Sequence, residues 1–155
     1  WSPVVVDDRK EFLNRERFPE AAGFVPLERP EDVAKVAPID RRTFVVVMTH
    51  NFLRDKEYVR SLIDTPAGYV AMLGPSARSQ RLLTELRQEG VEIPEHFLER
   101  VHGPAGLDLG AEGPEEIAAA IVAEIVAVKR GREGGFLKHR PGPIHERQPA
   151  AQQRA

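Results

Sequence analysis

Short apolar runs alternate along this chain with longer segments in which apolar residues recur at helical spacing. The runs are rich in β-branched residues and are separated by roughly twenty residues, which leaves room for a crossover helix between successive strands. This alternation is typical of a parallel sheet with helices packed on it. The predicted strands cover residues 4–6, 24–25, 44–48 and 69–73.

The segments between these runs predict helices with one buried face. A short helix is predicted over residues 30–36, and apolar residues at i, i+1, i+4 and i+5 indicate a longer one around residues 58–63. Leucines over residues 82–86 repeat this pattern, and a last helix begins near Pro114. We therefore predict a doubly wound α/β domain with a mostly parallel sheet. The buried face of the last helix consists of Ile117, Ile121, Ile125 and Val128.

Composition narrows the class of protein. A chain of 155 residues with 41% apolar and 30% charged residues can bury one core and is typical of a single globular domain. The net charge of −2 gives no general attraction to nucleic acid, and the apolar runs are too short to span a membrane. The chain contains no cysteine, so it can form no disulfide and can carry no sulfur on a thiol. No export signal precedes the first strand, and we expect a cytoplasmic protein.

The two ends of the chain differ from its middle. From about residue 132 the apolar periodicity disappears and Gly, Pro, Arg and Gln dominate, so we predict a flexible basic tail over residues 132–155. The first apolar run begins at Val4, with no initiator methionine and no glycine-rich turn before it. We therefore predict an N-terminally incomplete α/β domain over residues 1–131.

Polar residues follow the predicted strands directly, where ligands bind in sheets of this kind. Asp7 follows the first strand and could accept hydrogen bonds from a ribose, or could be an ordinary turn residue. Thr49, His50 and Asn51 end the most apolar strand, where they could face a ligand or cap the next helix. After the fourth run, Gly74 allows close backbone approach, and Arg78 could pair with a phosphate.

A glycine-rich loop over residues 102–111 leads into the last helix. His102 and Asp108 supply groups that bond or titrate, and Gly106 permits a backbone path that a side chain would block. The loop could face a ligand or could be an ordinary strand-to-helix connection. If the loops converge, His50, His102 and Asp108 would also make a two-histidine, one-carboxylate metal site, but we predict no metal.

Several of these segments together resemble one protein family. The matching segments are residues 5–9 (Val-Val-Asp-Asp-Arg), 17–19 (Arg-Phe-Pro), 46–50 (Val-Val-Met-Thr-His), 69–70 with 73–74, 102–111, and 114–118. In this order and spacing they resemble the Rossmann domain of the XdhC/CoxI family over about residues 4–130.

The resemblance implies an accessory protein for molybdenum hydroxylases of the xanthine dehydrogenase or carbon monoxide dehydrogenase type. Such a protein is expected to bind molybdenum cofactor, as molybdopterin or its dinucleotide, to aid its sulfuration and to deliver it to the apo-enzyme, without being an enzyme itself. Its expected partners are that apo-enzyme, a cysteine desulfurase and a second copy of the chain. The residues expected to bind the cofactor are Asp7, Arg9, Thr49, His50, Asn51, Gly74, Arg78, His102, Gly106 and Asp108.

The chain also departs from the family pattern. Asn51 stands where the family commonly has aspartate, and residues 74–78 (Gly-Pro-Ser-Ala-Arg) replace a run with three arginines, which weakens a phosphate site there. The first strand of the Rossmann sheet and its glycine-rich turn are missing. Two alternatives therefore stay open: an NAD(P)-dependent oxidoreductase domain, and a non-catalytic fragment that dimerises.

Overall fold

The computed structural model describes residues 1–144 and contains five short strands. Three of the four predicted strands begin where the apolar runs begin, but those over 44–48 and 69–73 are one residue shorter than predicted because Met48 and Leu73 already belong to the following loops. The fifth strand, two residues long, has no apolar run of its own. The strands are β1 (Val4–Asp7), β2 (Gly23–Pro26), β3 (Phe44–Val47), β4 (Tyr69–Met72) and β5 (Val101–His102).

Five α-helices lie between or after the strands, with a 3-10 turn alone between β1 and β2 and two α-helices between β4 and β5. The predicted helix over 30–36 consists of a 3-10 turn, Pro30–Asp32, that continues into an α-helix. The last helix starts with a proline in its first turn and ends at Gly131, whose φ of 61° is the left-handed cap conformation that glycine adopts easily. The α-helices are α1 (Val33–Val36), α2 (Phe52–Leu62), α3 (Ser76–Gln88), α4 (Glu95–Leu98) and α5 (Pro114–Arg130).

All paired strands are parallel. β1 pairs with β2, and β3 pairs with β4, which pairs in turn with β5. Within residues 1–144, no strand bridges these two small sheets, so β1 and β3 each pair along one edge only. Val6, Val25 and Val45 nevertheless pack against one apolar core, which shows that both sheets border the same interior.

Helices cover both faces of the sheet, which confirms the predicted doubly wound, Rossmann-like α/β fold. Side chains of β4 alternate between the faces, and all four of its residues are buried. Val70 and Met72 join the larger core with α1, α2 and α3. Tyr69 and Ala71 join a smaller core with Ile121 and Ile125 of α5. α5 therefore lies on the opposite face from the other long helices.

The C-terminal part of the described chain has little regular structure. Between Gly131 and residue 144 there is one 3-10 turn, Leu137–His139, and nearly every residue is exposed. Residues 145–155 of the predicted tail lie outside the described residues. None of the helices formed by residues 1–144 has the length and apolar character needed to cross a membrane.

Candidate functional site

The parallel arrangement brings the predicted site residues to one edge of the fold. Within each sheet all strands run in the same direction, so the loops after β3, β4 and β5 leave at one carboxyl edge. The loop after β1 reaches the same region, because Asp8 forms a 2.8 Å ion pair with Arg54 in the first turn of α2. The predicted site residues lie at the ends of these strands or in the loops and helix starts that follow them. The edge is organised as three local clusters rather than as one continuous set of contacts.

The first cluster is an ion pair between Asp7 and Arg9. The Arg9 guanidinium donates two hydrogen bonds to the Asp7 carboxylate, at 3.0 and 2.8 Å, and the Arg9 backbone N–H donates a third at 2.9 Å. These bonds lower the pKa of Asp7 to about 2. The guanidinium also lies 4.6 Å from the centre of the Phe12 ring. The Asp7 carboxylate is therefore paired with its neighbour, and its partly exposed oxygens can still accept a hydrogen bond from a ligand.

We expect the Asp7→Asn variant to lose less than about 1 kcal/mol of unfolding free energy at neutral pH, because the pair is partly solvated. The pKa of Asp7 is lower in the folded chain than its ordinary value of 3.8, so its contribution is present above that value and disappears as the pH falls towards 2. Urea unfolding of both proteins at pH 7 and about pH 2.5 checks this, since the difference should shrink at the lower pH. An equal difference at both values would contradict the assignment.

The second cluster is organised by Asp55, a residue of α2 that the sequence did not single out. Its side chain is buried and accepts hydrogen bonds from the Thr49 backbone N–H at 3.2 Å and from the Thr49 hydroxyl at 2.6 Å. Its other oxygen accepts a hydrogen bond from Arg78 at 2.7 Å. Asp55 thus joins the loop after β3 to the start of α3 and fixes the Arg78 guanidinium at the edge.

His50 and Asn51 differ in role although they are adjacent. The Asn51 side chain caps α2 by accepting a hydrogen bond from the Arg54 backbone N–H at 3.1 Å, as the structural alternative anticipated. His50 is exposed and has a φ of 59°, a left-handed conformation that is uncommon outside glycine. The hydrogen bond from the Asn51 backbone N–H to the Thr49 hydroxyl closes the turn around it. His50 makes no hydrogen bond within residues 1–144 and is open to a ligand.

The start of α3 has the features of an anion site. Gly74 has a φ of 114°, and a Cβ built there would lie 2.9 Å from the Arg78 side chain. The first turn of α3 contains no acidic residue, and no side chain caps its N-terminus. By contrast, α5 has Glu115 and Glu116 in its first turn, which disfavours a phosphate there. Of the two helix starts, α3 is better suited to a phosphate.

The third cluster is organised by Glu124 of α5. One of its carboxylate oxygens lies 3.0 Å from His102 Nδ1. The other accepts hydrogen bonds from the Tyr69 hydroxyl and, at 2.8 Å, from the Gly106 backbone N–H. Burial alone would raise the pKa of Glu124, but these hydrogen bonds bring it below its ordinary value. Burial and the same carboxylate raise the pKa of Tyr69 strongly.

The loop that carries His102 is held closely between two helices. A Cβ on Gly103 would lie 2.6 Å from Ser79 of α3, and a Cβ on Gly106 would lie 3.2–3.3 Å from Ala120 and Ile121 of α5. Gly106 also has a φ of 107°, which strains other residues. Beyond this tight segment, Asp108 is exposed and forms no hydrogen bond with any of residues 1–144.

The sequence does contain a signal for Glu124, although it was not among the predicted site residues. It is the only charged residue among positions 117–128 of the last helix, and such a residue needs a partner when its helix is packed on a sheet. Asp55 gave no comparable signal because charged residues surround it in α2. No group of three or more metal-ligating side chains gathers anywhere in residues 1–144, so His50, His102 and Asp108 do not form the metal site considered above.

Two cavities lie away from the carboxyl edge. A cleft of about 460 Å³ lies at the opposite, amino-terminal edge, lined by residues that include Arg41, Gly68 and Arg100. A smaller one of about 280 Å³ lies beside β1, between Val5 and Phe18. None of the ten predicted site residues lines either of these two cavities.

The fold and the edge define a Rossmann-like domain whose polar loops gather at the carboxyl ends of a parallel sheet. The model of the XdhC Rossmann domain family matches residues 1–125, and the chain belongs to that family. This confirms the resemblance drawn from the sequence.

Individual relatives agree with this assignment. The chain is 34% identical over 134 residues to the uncharacterized protein YqeB of Escherichia coli, and 32% identical over 130 residues to a Bacillus subtilis protein named as a probable subunit of xanthine dehydrogenase. A crystal structure titled as a xanthine dehydrogenase from Bacillus halodurans superposes with a TM-score of 0.69 at 32% identity. These matches cover 84–86% of this chain.

The relatives are much longer proteins. The chain spans 24% of the Escherichia coli protein and 36% of the Bacillus subtilis protein, and 36% of the chain in the Bacillus halodurans structure. The similarity therefore concerns one domain of each relative.

Proposed function

We propose that this domain is an accessory factor that binds molybdenum cofactor and aids its sulfuration and its insertion into a molybdenum hydroxylase of the xanthine dehydrogenase type. The observation that carries the proposal is the family match over residues 1–125, together with a relative named as part of a xanthine dehydrogenase. The domain would act in the cytoplasm as a binding and transfer protein and would catalyse no reaction itself.

The carboxyl edge offers groups that fit the parts of such a cofactor. Molybdenum cofactor combines a phosphate, a pterin ring and the sulfur ligands of the metal. The start of α3, with Gly74, uncapped backbone N–H groups and Arg78, fits the phosphate. His50 and Asp108, both exposed, would contact the pterin ring, whose N–H groups and ring nitrogens need donors and acceptors.

The sulfuration step requires a partner. With no cysteine in the 155 residues, no thiol of this chain can carry a persulfide. In this proposal a cysteine desulfurase supplies the sulfur, while this domain holds the cofactor for transfer to the apo-hydroxylase.

The first cluster leaves the oxidoreductase alternative open as a second outcome of the test below. In dinucleotide-binding domains an acidic residue near the end of the second strand bonds the ribose hydroxyls, and Asp7 would take that role here. Its carboxylate already receives three hydrogen bonds from Arg9, but it remains partly exposed and can accept one more from a ribose hydroxyl.

Co-expression with the molybdenum cofactor biosynthesis enzymes tests the proposal. Mass spectrometry of small molecules released from the purified protein should detect a pterin derived from the cofactor. We expect the His50→Ala and Asp108→Ala variants to retain at least about threefold less pterin, which corresponds to the loss of one modest hydrogen bond each.

A matched control is His96→Ala, because His96 is exposed and lies beside the cleft at the opposite edge. It should leave pterin recovery unchanged. Circular dichroism would confirm that all three variants are folded. Recovery of NAD(P) instead of a pterin, or no small molecule at all, would contradict the proposed function.

A further inference from the structure

The imidazole of His102 is fixed on one side only. Its Nδ1 atom bonds to Glu124, and its ring lies 4.4 Å from the buried ring of Tyr69, measured between ring centres. The Nε2 atom bonds to no group of residues 1–144. Because no buried side-chain nitrogen or oxygen in that range lacks a partner, Nε2 must be reached by solvent. The side chain is 24% exposed at the carboxyl edge.

The partners of Glu124 determine which nitrogen of His102 carries the proton. One carboxylate oxygen already accepts hydrogen bonds from the Tyr69 hydroxyl and the Gly106 N–H, both of which are donors. These bonds favour the ionised carboxylate, which can only accept a hydrogen bond from His102. In the neutral imidazole the proton therefore sits on Nδ1, and Nε2 presents a lone pair to the outside.

The setting of this lone pair indicates a binding role. The loop after β5 is wedged between α3 and α5 at Gly103 and Gly106, so His102 is presented on a rigid support. The Tyr69 and Gly106 bonds would hold α5 to the sheet without any histidine. The additional bond to His102 aligns a ring nitrogen that faces the ligand edge.

We propose that His102 accepts a hydrogen bond at Nε2 from a ring N–H or amino group of a pterin-class heterocycle, and that Glu124 is the positioning residue that fixes the tautomer needed for this. The inference rests on the proposed function, which it deepens by assigning the donor–acceptor direction of one contact. No proton leaves the ligand in this contact, so no co-reactant is required.

The Glu124→Gln variant tests the direction of the contact. The glutamine oxygen can still accept from Tyr69 and Gly106, while its amide NH₂ replaces the oxygen that faces His102. That amide donates to Nδ1, so the imidazole proton moves to Nε2, and the outward acceptor becomes a donor. The shape of the side chain is preserved, and the fold should be retained.

Nitrogen NMR of the chain labelled at histidine measures the tautomer directly. We expect the proton on Nδ1 in the wild-type protein and on Nε2 in Glu124→Gln. Titration with pterin itself should shift the Nε2 signal of His102 in the wild type. The affinity for pterin should fall on the order of tenfold in Glu124→Gln, because one hydrogen bond is lost and the Nε2–H donor then faces an N–H donor of the pterin. Glu116→Gln, an exposed change on the same helix, is the matched control and should alter neither the tautomer nor the affinity.

The outcomes separate this inference from the proposed function. A wild-type proton on Nε2, or equal pterin affinity in the wild type and Glu124→Gln, would overturn the inference. Pterin that is recovered by mass spectrometry but leaves the His102 signals unchanged would overturn the inference alone. Absence of any pterin from the co-expressed protein would overturn the proposed function and, with it, the ligand class assigned to His102.

Discussion

Replacing Glu124 by alanine is expected to lower the free energy of unfolding by about 3 kcal/mol, because a partly buried carboxylate that accepts three hydrogen bonds is removed. Tyr69 is fully buried, so its hydroxyl would be left inside the protein without this hydrogen-bond acceptor. The Gly106 N–H would lose its partner as well, in a loop with little space to rearrange. The smaller core between α5 and the sheet should loosen as a result.

Urea unfolding followed by circular dichroism measures this loss. Glu124→Gln should cost only about 1–2 kcal/mol, since its oxygen still accepts from Tyr69 and Gly106. Glu116→Ala, on the exposed first turn of the same helix, is the control and should cost at most about 1 kcal/mol, because it removes one exposed hydrogen bond from the Glu112 N–H and a charge near the helix start. A loss below about 1 kcal/mol for Glu124→Ala would show that the three bonds do not hold α5 to the sheet.

The same variant has a defined pH dependence. The pKa of Glu124 lies below its ordinary value of 4.5 in the folded chain, since the hydrogen bonds to its carboxylate outweigh the effect of burial. The difference in unfolding free energy between the wild type and Glu124→Ala is therefore fully present above pH 4.5 and declines as the pH falls below that value. Repeating the urea unfolding of both proteins at lower pH measures this decline.

The fold could largely be predicted from the sequence because buried strands and amphipathic helices leave different periodicities. β3 and β4 were visible as continuous apolar runs, which parallel strands require when both faces are covered. β5 was not, because a two-residue strand is too short to leave a pattern. Its position is determined by pairing with β4, which only the folded chain shows.

The candidate site was predictable as a location but not as a set of contacts. Parallel strand ends meet at one edge whatever side chains they carry, so the predicted loops do share that edge. Which charges pair there depends on side-chain conformations: Arg9 turns back onto Asp7, and Arg78 reaches Asp55 in another helix. No sequence spacing encodes the second pair, since its residues lie on helices separated by β4.

Asp55→Ala is expected to cost about 3 kcal/mol of unfolding free energy and to release Arg78 from its fixed position. Asp55 is 4% exposed and joins three donors, so its removal leaves the Thr49 N–H and the Arg78 guanidinium without this acceptor, while the Thr49 hydroxyl can still donate to the Asn51 carbonyl. The guanidinium keeps its contact with Phe52, whose ring centre lies 5.5 Å from the guanidinium carbon.

A double-mutant cycle with Arg78→Met isolates the ion pair from the rest of the cluster. The Arg78→Met substitution should lower the free energy of unfolding by about 1–2 kcal/mol more in the wild-type background than in the Asp55→Ala background. The reason is that the Arg78 charge has no partner to lose once Asp55 is removed. Additive losses would mean that the two side chains do not interact in solution. Asp64→Ala, an exposed carboxylate removed at the opposite edge, is the control and should be nearly neutral. A coupled result would establish that Asp55 of α2 holds in solution the guanidinium that is proposed to meet the phosphate.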